Sequence, residues 1–150
     1  MFSDKAVEII KYFEGFRAKP YYCSAGVPTI GYGTTIYPTG EKVKITDKAI
    51  NGLIASEILK WHIIEKVHKP LMKLIDRDKL NQNQYDSLVS FCYNVGIGAF
   101  KGSTLRKVIL DNPNNFDAIE VQFMRWNKAG GKVIDGLISR RKKEFSLYSS

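Results

Sequence analysis

Three side chains with reactive chemistry lie close together near the start of the chain. They are the carboxyl of Glu14, the thiol of Cys23 nine residues on, and the hydroxyl of Thr29 six further. A carboxyl exchanges protons, a thiol ionises to a base or nucleophile, and a hydroxyl orients water or a substrate oxygen. Val7, Ile10 and Phe13 form one apolar face of a helix for which Ser3 is the expected N-cap. Glu14 lies two turns beyond Val7, at ~3.6 residues per turn, and so continues that face. It falls in the last helical turn, where the macrodipole disfavours an anion, and Gly15 is the expected stop. Apolar surroundings and a negative helix end both favour the protonated form of a carboxyl, the form a general acid needs near neutral pH. A charge set against the helix-end rule is the kind of local conflict expected at a functional site.

After Pro20 the pattern becomes extended. Tyr21 to Cys23 read as a strand, Ser24 to Pro28 as a turn, and Thr29 to Gly33 as the returning strand. Period-2 alternation puts Thr29, Gly31 and Gly33 on one face, and a five-residue turn sets Cys23 opposite Thr29. A face of one hydroxyl and two glycines is nearly bare, and close approach of a ligand is one reason for a strand to give up side chains. The same residues also fit a core Glu14 paired with Arg17, a buried Cys23, and glycines that serve only a bent hairpin.

The segment Glu14, Cys23, Thr29, Ile30-Gly31-Tyr32-Gly33 resembles the catalytic segment of phage-type lysozymes, the endolysins of glycoside hydrolase family 24. The resemblance extends over almost the whole chain. Its further blocks are Gln84 to Phe91, Tyr93-Asn94-Val95-Gly96, Phe100 to Leu105, and Gly136-Leu137 with Arg140-Arg141 and Glu144. It implies an α+β lysozyme fold in which a small antiparallel sheet lobe and a mainly helical lobe are joined by a long helix. The implied activity is hydrolysis of the β-1,4 bond between N-acetylmuramic acid and N-acetylglucosamine in peptidoglycan. It further implies that Glu14, Cys23 and Thr29 are catalytic, that Thr35 faces Tyr93, Asn94 and Thr104 across the cleft, and that Arg140 reaches Glu14. Two departures stand out. Many members carry Asp where this chain has Cys23, and many carry His at the position of Thr34.

In the mechanism so implied, Glu14 protonates the glycosidic oxygen and Thr29 holds the water. Cys23 stands where a second carboxylate would be. A neutral thiol, with an ordinary pKa of about 8.5, is a poor base, whereas a thiolate could act as base or nucleophile. Two other classes remain open: a thiol-dependent amidase or peptidase using Cys23 with His62 or His68, and a wall-binding protein without activity.

At 150 residues the chain is long enough for one domain with a real core, divided into an N-terminal lobe of about 13–60 and a helical lobe of about 70–150 plus the first helix. Hydrophobic content of 44% and charged content of 25% are ordinary for a globular chain. The net charge of +8 favours polyanions. No zinc-finger spacing or RRM-type aromatic block accompanies it, so an anionic bacterial envelope is the expected partner rather than nucleic acid. No apolar run approaches the ~20 residues of a membrane span, and the N-terminus lacks a basic and apolar leader pattern. With no leader pattern, the resemblance implies a monomer that accumulates in the host cytoplasm and reaches the wall through a holin. No metal or cofactor is expected, because His62 and His68 lie on different helical faces.

The elements that must position the site follow from periodicity. Ile36 to Lys44 is turn-rich and is expected to complete a three-stranded sheet. A helix of about 24 residues, roughly 35 Å long, is expected from Thr46-Asp47 to Pro70. Asn81 with Gln84 forms a capping box for the next helix, whose buried side is Tyr85, Leu88, Phe91, Cys92 and Val95. Helices are also expected from Ser103-Thr104, over Phe116 to Trp126, and over Leu137 to Leu147, with Lys142 and Lys143 on a solvated face.

Overall fold

The computed structural model describes residues 1–150. Helix α1 runs Asp4–Glu14, capped by Ser3 and stopped at Gly15, whose φ of 71° suits only glycine. Ala6, Val7 and Ile10 face the core. The Ser3 cap is itself tied to the buried Asp86 carboxylate through both its backbone N–H and its hydroxyl.

Strands β1 (Arg17–Tyr22) and β2 (Pro28–Gly31) form an antiparallel hairpin with an irregularity between Arg17 and Tyr21. Its register corrects the expected one: Tyr21, not Cys23, lies opposite Thr29. The turn is tighter than the expected five residues. The Gly26 N–H closes onto the Cys23 carbonyl at 2.8 Å, and the Cys23 N–H donates to Val27 at 3.0 Å. The expected open face is also filled. Thr29 and Gly31 are buried, and a Cβ on Gly31 would stand 3.2 Å from Ala55 Cβ, so this glycine admits a helix rather than a ligand.

No third strand forms. Residues 36–44 make one bridge, Ile36 with Lys42, around the Pro38–Gly40 turn. Nor does a helix start at Thr46-Asp47. The Asp47 carboxylate turns back to accept the Lys44 N–H at 2.9 Å and the Tyr37 hydroxyl at 2.8 Å, an alternative to helix that short acidic side chains favour.

Helix α2 (Gly52–His62) starts only when Asn51 caps it. It continues as a π-helical stretch, Ile63–His68, into α3 (Lys69–Leu71), passing through Pro70 rather than ending there. In the wider turn the Lys69 N–H reaches Ile64. That geometry accommodates a proline ring that would crowd the carbonyl four residues back. The rod is thus about 30 Å at ~1.5 Å per residue, shorter than expected.

The centre of the helical part is α4 (Gln82–Val95), begun by the capping box of Asn81 and Gln84. Every residue from Gln84 to Cys92 is buried. Against it pack α1, α5 (Ile97–Lys101) and α8 (Asp135–Tyr148), with α7 (Phe116–Met124) on α8 and α6 (Thr104–Asp111) between α5 and α7. Phe91 makes edge contacts with Phe100, Phe123 and Trp126, giving the core fixed aromatic geometry. Strands β3 (Lys128–Ala129) and β4 (Lys132–Val133) form a short hairpin around Gly130 and Gly131. Lys142 and Lys143 are exposed, as their helical phase requires. No helix is long and apolar enough to cross a membrane.

Candidate active site

Glu14 ends α1 with its side chain 25% exposed. Its Oε1 accepts from Arg140 Nη1 of α8 at 3.0 Å. The sequence's other candidate partner, Arg17, lies instead over the Tyr21 ring at 4.2 Å. Oε2 faces Gly33, where an added Cβ would stand 3.0 Å away. Gly33 also has a φ of 76°, so conformation and space both call for glycine. One carboxylate oxygen is thus held by a guanidinium, and the other is left beside the bare backbone of Gly33, which itself lines a cavity.

That cavity, about 220 Å³, is lined by Gly33, Thr34 and Thr35 from the hairpin side and by Tyr93, Gly96 and Ile97 from the helical side, with His62 and Lys66 along α2 and its extension. Thr35 and Tyr93 therefore line one cavity from its two sides. Asn94 does not join them. It opens onto a neighbouring cavity with Trp126, Lys128 and Leu137, and its side-chain oxygen accepts from Arg141 Nη2 at 2.7 Å. Thr104 lines neither. Ser103 is the buried N-cap of α6, which turns Thr104 outward at the first helical position. Thr34 is buried and exchanges two 2.9 Å backbone hydrogen bonds with Ile30.

Cys23 and Cys92 are both free. The Cys23 thiol is held below the ordinary value, first by the Val27 N–H, then by the Ala25 N–H, then by the Thr29 hydroxyl. The Thr29 hydroxyl itself sits 2.9 Å from the Val27 carbonyl, to which it donates. A hydroxyl has one proton and rotates, so it can turn to the sulfur once that becomes a thiolate. Burial instead pushes Cys92 well up. Iodoacetamide is therefore expected to label Cys23 alone in the folded protein. Because the lowered value raises the thiolate fraction at any given pH, the labelling rate should climb with a midpoint below that of the unfolded chain, read by mass spectrometry of the labelled peptide.

The two imidazoles are engaged elsewhere. His62 Nε2 lies 2.6 Å from the Ile36 carbonyl, and His68 Nδ1 lies 2.6 Å from the Tyr85 hydroxyl. The Cys–His arrangement of a thiol hydrolase is not assembled. Chemically, the site offers a fixed carboxyl beside an open groove and a thiol prone to ionise on the neighbouring hairpin.

Two contacts at the site leave no mark in local sequence: Gly33 against Glu14 Oε2, and the Ser90 hydroxyl, which donates to Glu144 Oε1 at 2.7 Å. Glu144 itself was readable, since it stands four residues after Arg140 and three after Arg141, both spacings that bring side chains together on a helix.

Residues 11–144 match the family model described as phage lysozyme, and the chain belongs to that family. Among curated relatives, it is 38% identical to the endolysin of Salmonella phage P22, covering 99% of this chain and 97% of that protein. It is 37% identical to the endolysin of Bacillus phage PZA, covering 99% of this chain but 55% of that protein. This chain thus spans about half the length of the Bacillus phage relatives it matches. Among solved structures, an endolysin of the Escherichia coli phage FAHEc1 superposes with a TM-score of 0.87 at 35% identity, covering 99% of this chain and 92% of the other. The lysozyme-like fold is common to them.

Proposed function

We propose that this chain is a peptidoglycan-lysing muramidase that hydrolyses the β-1,4 bond between N-acetylmuramic acid and N-acetylglucosamine for phage release. The observation that carries this reading is the Glu14 carboxyl, with Oε1 bonded to Arg140 and Oε2 facing side-chain-free Gly33 at the edge of the groove. Oε2 is the oxygen free to deliver a proton to the leaving glycosidic oxygen, the task of a general acid. Cys23 supplies the second function as a thiolate. Thr29 steadies it, and Thr35 and Tyr93 flank the sugar, while Asn94 lines the neighbouring cavity.

The same proposal includes two lobes meeting at the groove, action as a monomer, and dependence on a holin to reach the wall. The net charge of +8 draws the protein to an anionic envelope. Lys69, Lys73, Lys101 and Arg106 line one further hollow next to the groove, with Ile97 shared between the two. They place part of that positive charge where a wall polymer would pass.

The test is mass spectrometry of purified peptidoglycan after digestion. Fragments ending in reducing N-acetylmuramic acid, each carrying one added water per broken bond, are expected. Cleavage confined to peptide bonds, or no cleavage, would overturn the proposal. The anomeric configuration of the first product then assigns Cys23: retention marks the sulfur as the attacking atom, and inversion marks an activated water.

A further inference from the structure

The acid at the groove does not hold its own position. Arg140, which grips Glu14, is 4% exposed and spends its other nitrogens inward, Nε on Glu144 Oε1 at 3.1 Å and Nη2 on the Ser90 carbonyl at 3.3 Å. Arg141, next in the chain, points to the same carboxylate. Its Nε stands 2.9 Å from Glu144 Oε2 and its Nη2 3.3 Å from Oε1, and the same Nη2 holds Asn94. Glu144 is wholly buried. Its Oε1 also accepts the Ser90 hydroxyl, and its backbone carbonyl accepts the Ser87 hydroxyl at 2.6 Å. Consecutive helical residues diverge by about 100° around the axis. Two adjacent guanidiniums therefore reach different parts of the site from one anchor.

We propose that Glu144 is a positioning residue that sets Glu14 through Arg140 and Asn94 through Arg141, so that one buried carboxylate holds both the acid and a residue of the cavity next to the groove. The inference rests on the general-acid reading of Glu14.

The arrangement is difficult to explain as a stabilising device. Burial raises the Glu144 carboxyl despite both cations, and burial also lowers Arg141. A buried ionic cluster is often no more stable than an apolar one of equal volume. Arg141 Nη1 has no hydrogen-bond partner, and the close Arg141 Nε to Glu144 Oε2 pair is not aligned as a hydrogen bond. Contact with the Phe91 ring at 4.9 Å accommodates that guanidinium in the core. Directional contacts kept at this cost fit a part that fixes geometry.

The test uses saturation curves on purified peptidoglycan for the full chain, with the folded fraction counted by near-UV circular dichroism. Glu144→Gln keeps the shape and the Ser90 hydrogen bond but removes the charge. It is expected to lower the maximal rate per folded molecule roughly 10- to 100-fold, the scale of an ångström-level misplacement. A second expectation is non-additivity: in an Arg140→Gln background, Glu144→Gln should lower the maximal rate by a smaller factor than it does alone, because only the Arg141 arm remains to be lost. A purely structural Glu144 would lower the melting temperature while each folded molecule kept the wild-type rate, and that result overturns the inference. Should Glu144→Gln fail to fold, Ser90→Ala removes only the hydroxyl held to Oε1. A several-fold loss of maximal rate then supports the proposal, and an unchanged rate refutes it. Glu14→Gln runs alongside: if it is inactive while Glu144→Gln is unimpaired, only this inference falls; if it is fully active, the general-acid reading falls as well.

Discussion

Replacing Glu14 by Gln is expected to reduce peptidoglycan hydrolysis by roughly 10²- to 10⁴-fold, the usual contribution of a positioned proton donor. The substitution is close to isosteric. The amide oxygen can still accept from Arg140 Nη1, now at 3.0 Å from Oε1, and the amide nitrogen fits where Oε2 faces Gly33 without a Cβ in the way. The fold should therefore persist, with near-UV and far-UV circular dichroism matching wild type. What disappears is the acidic proton, which an amide cannot deliver. Initial rates of turbidity loss on purified walls, measured at equal folded concentration, provide the check. A Gln variant that dissolves walls at the wild-type rate would mean that another group donates the proton.

Arg140→Met is expected to be the most damaging single change to stability, by about 3–5 kcal/mol, because it breaks a buried pair by removing one partner. Methionine replaces the stem of the arginine and its packing beside Phe13, but not the guanidinium. The Ser90 carbonyl loses its Nη2 donor, and Glu144 keeps only Arg141 as a cation. At roughly 2–4 °C per kcal/mol for a chain near this size, the melting temperature should fall by about 10 °C.

The deficit should also depend on pH in a definite direction. The folded Glu144 carboxyl lies above its ordinary value because burial penalises its charge. A carboxyl raised on folding binds more protons in the native state than in the unfolded one, so its contribution to stability falls as pH rises past the unfolded value. Removing a cation enlarges that upward shift. The gap between wild type and Arg140→Met should therefore be widest near neutrality and narrow as pH falls and Glu144 takes up its proton. Thermal melts of both proteins at several pH values measure this. A gap that widens in acid would contradict the assignment of Glu144 as the residue left unpaired.

How much of this was legible beforehand differs by element. The first helix, its Ser3 cap and its Gly15 stop were readable because capping and periodicity are interactions within a few residues of one another. The capping box of Asn81 and Gln84 was legible for the same reason. The start of α2 was misplaced because Asp47 and Asn51 are both competent caps, and the choice depended on Asp47 meeting the Tyr37 hydroxyl across a loop. The end was misplaced because Pro70 is a breaker in an α-helical turn but not in the wider turn that precedes it here.

At the site, residue types and spacing by themselves determined which side chains could do chemistry, and family resemblance pointed Arg140 at Glu14. Only the tertiary structure decided how they meet. It put Tyr21 rather than Cys23 opposite Thr29, closed Gly31 against Ala55, opened Gly33 to the Glu14 carboxylate, and turned Thr104 away from the groove. The physical reason is range. Helix phase, caps and turns are fixed by neighbours in the chain. The partner of a half-buried charge such as Glu14 lies 126 residues away and is selected by how α1, α4 and α8 pack, which no local pattern encodes.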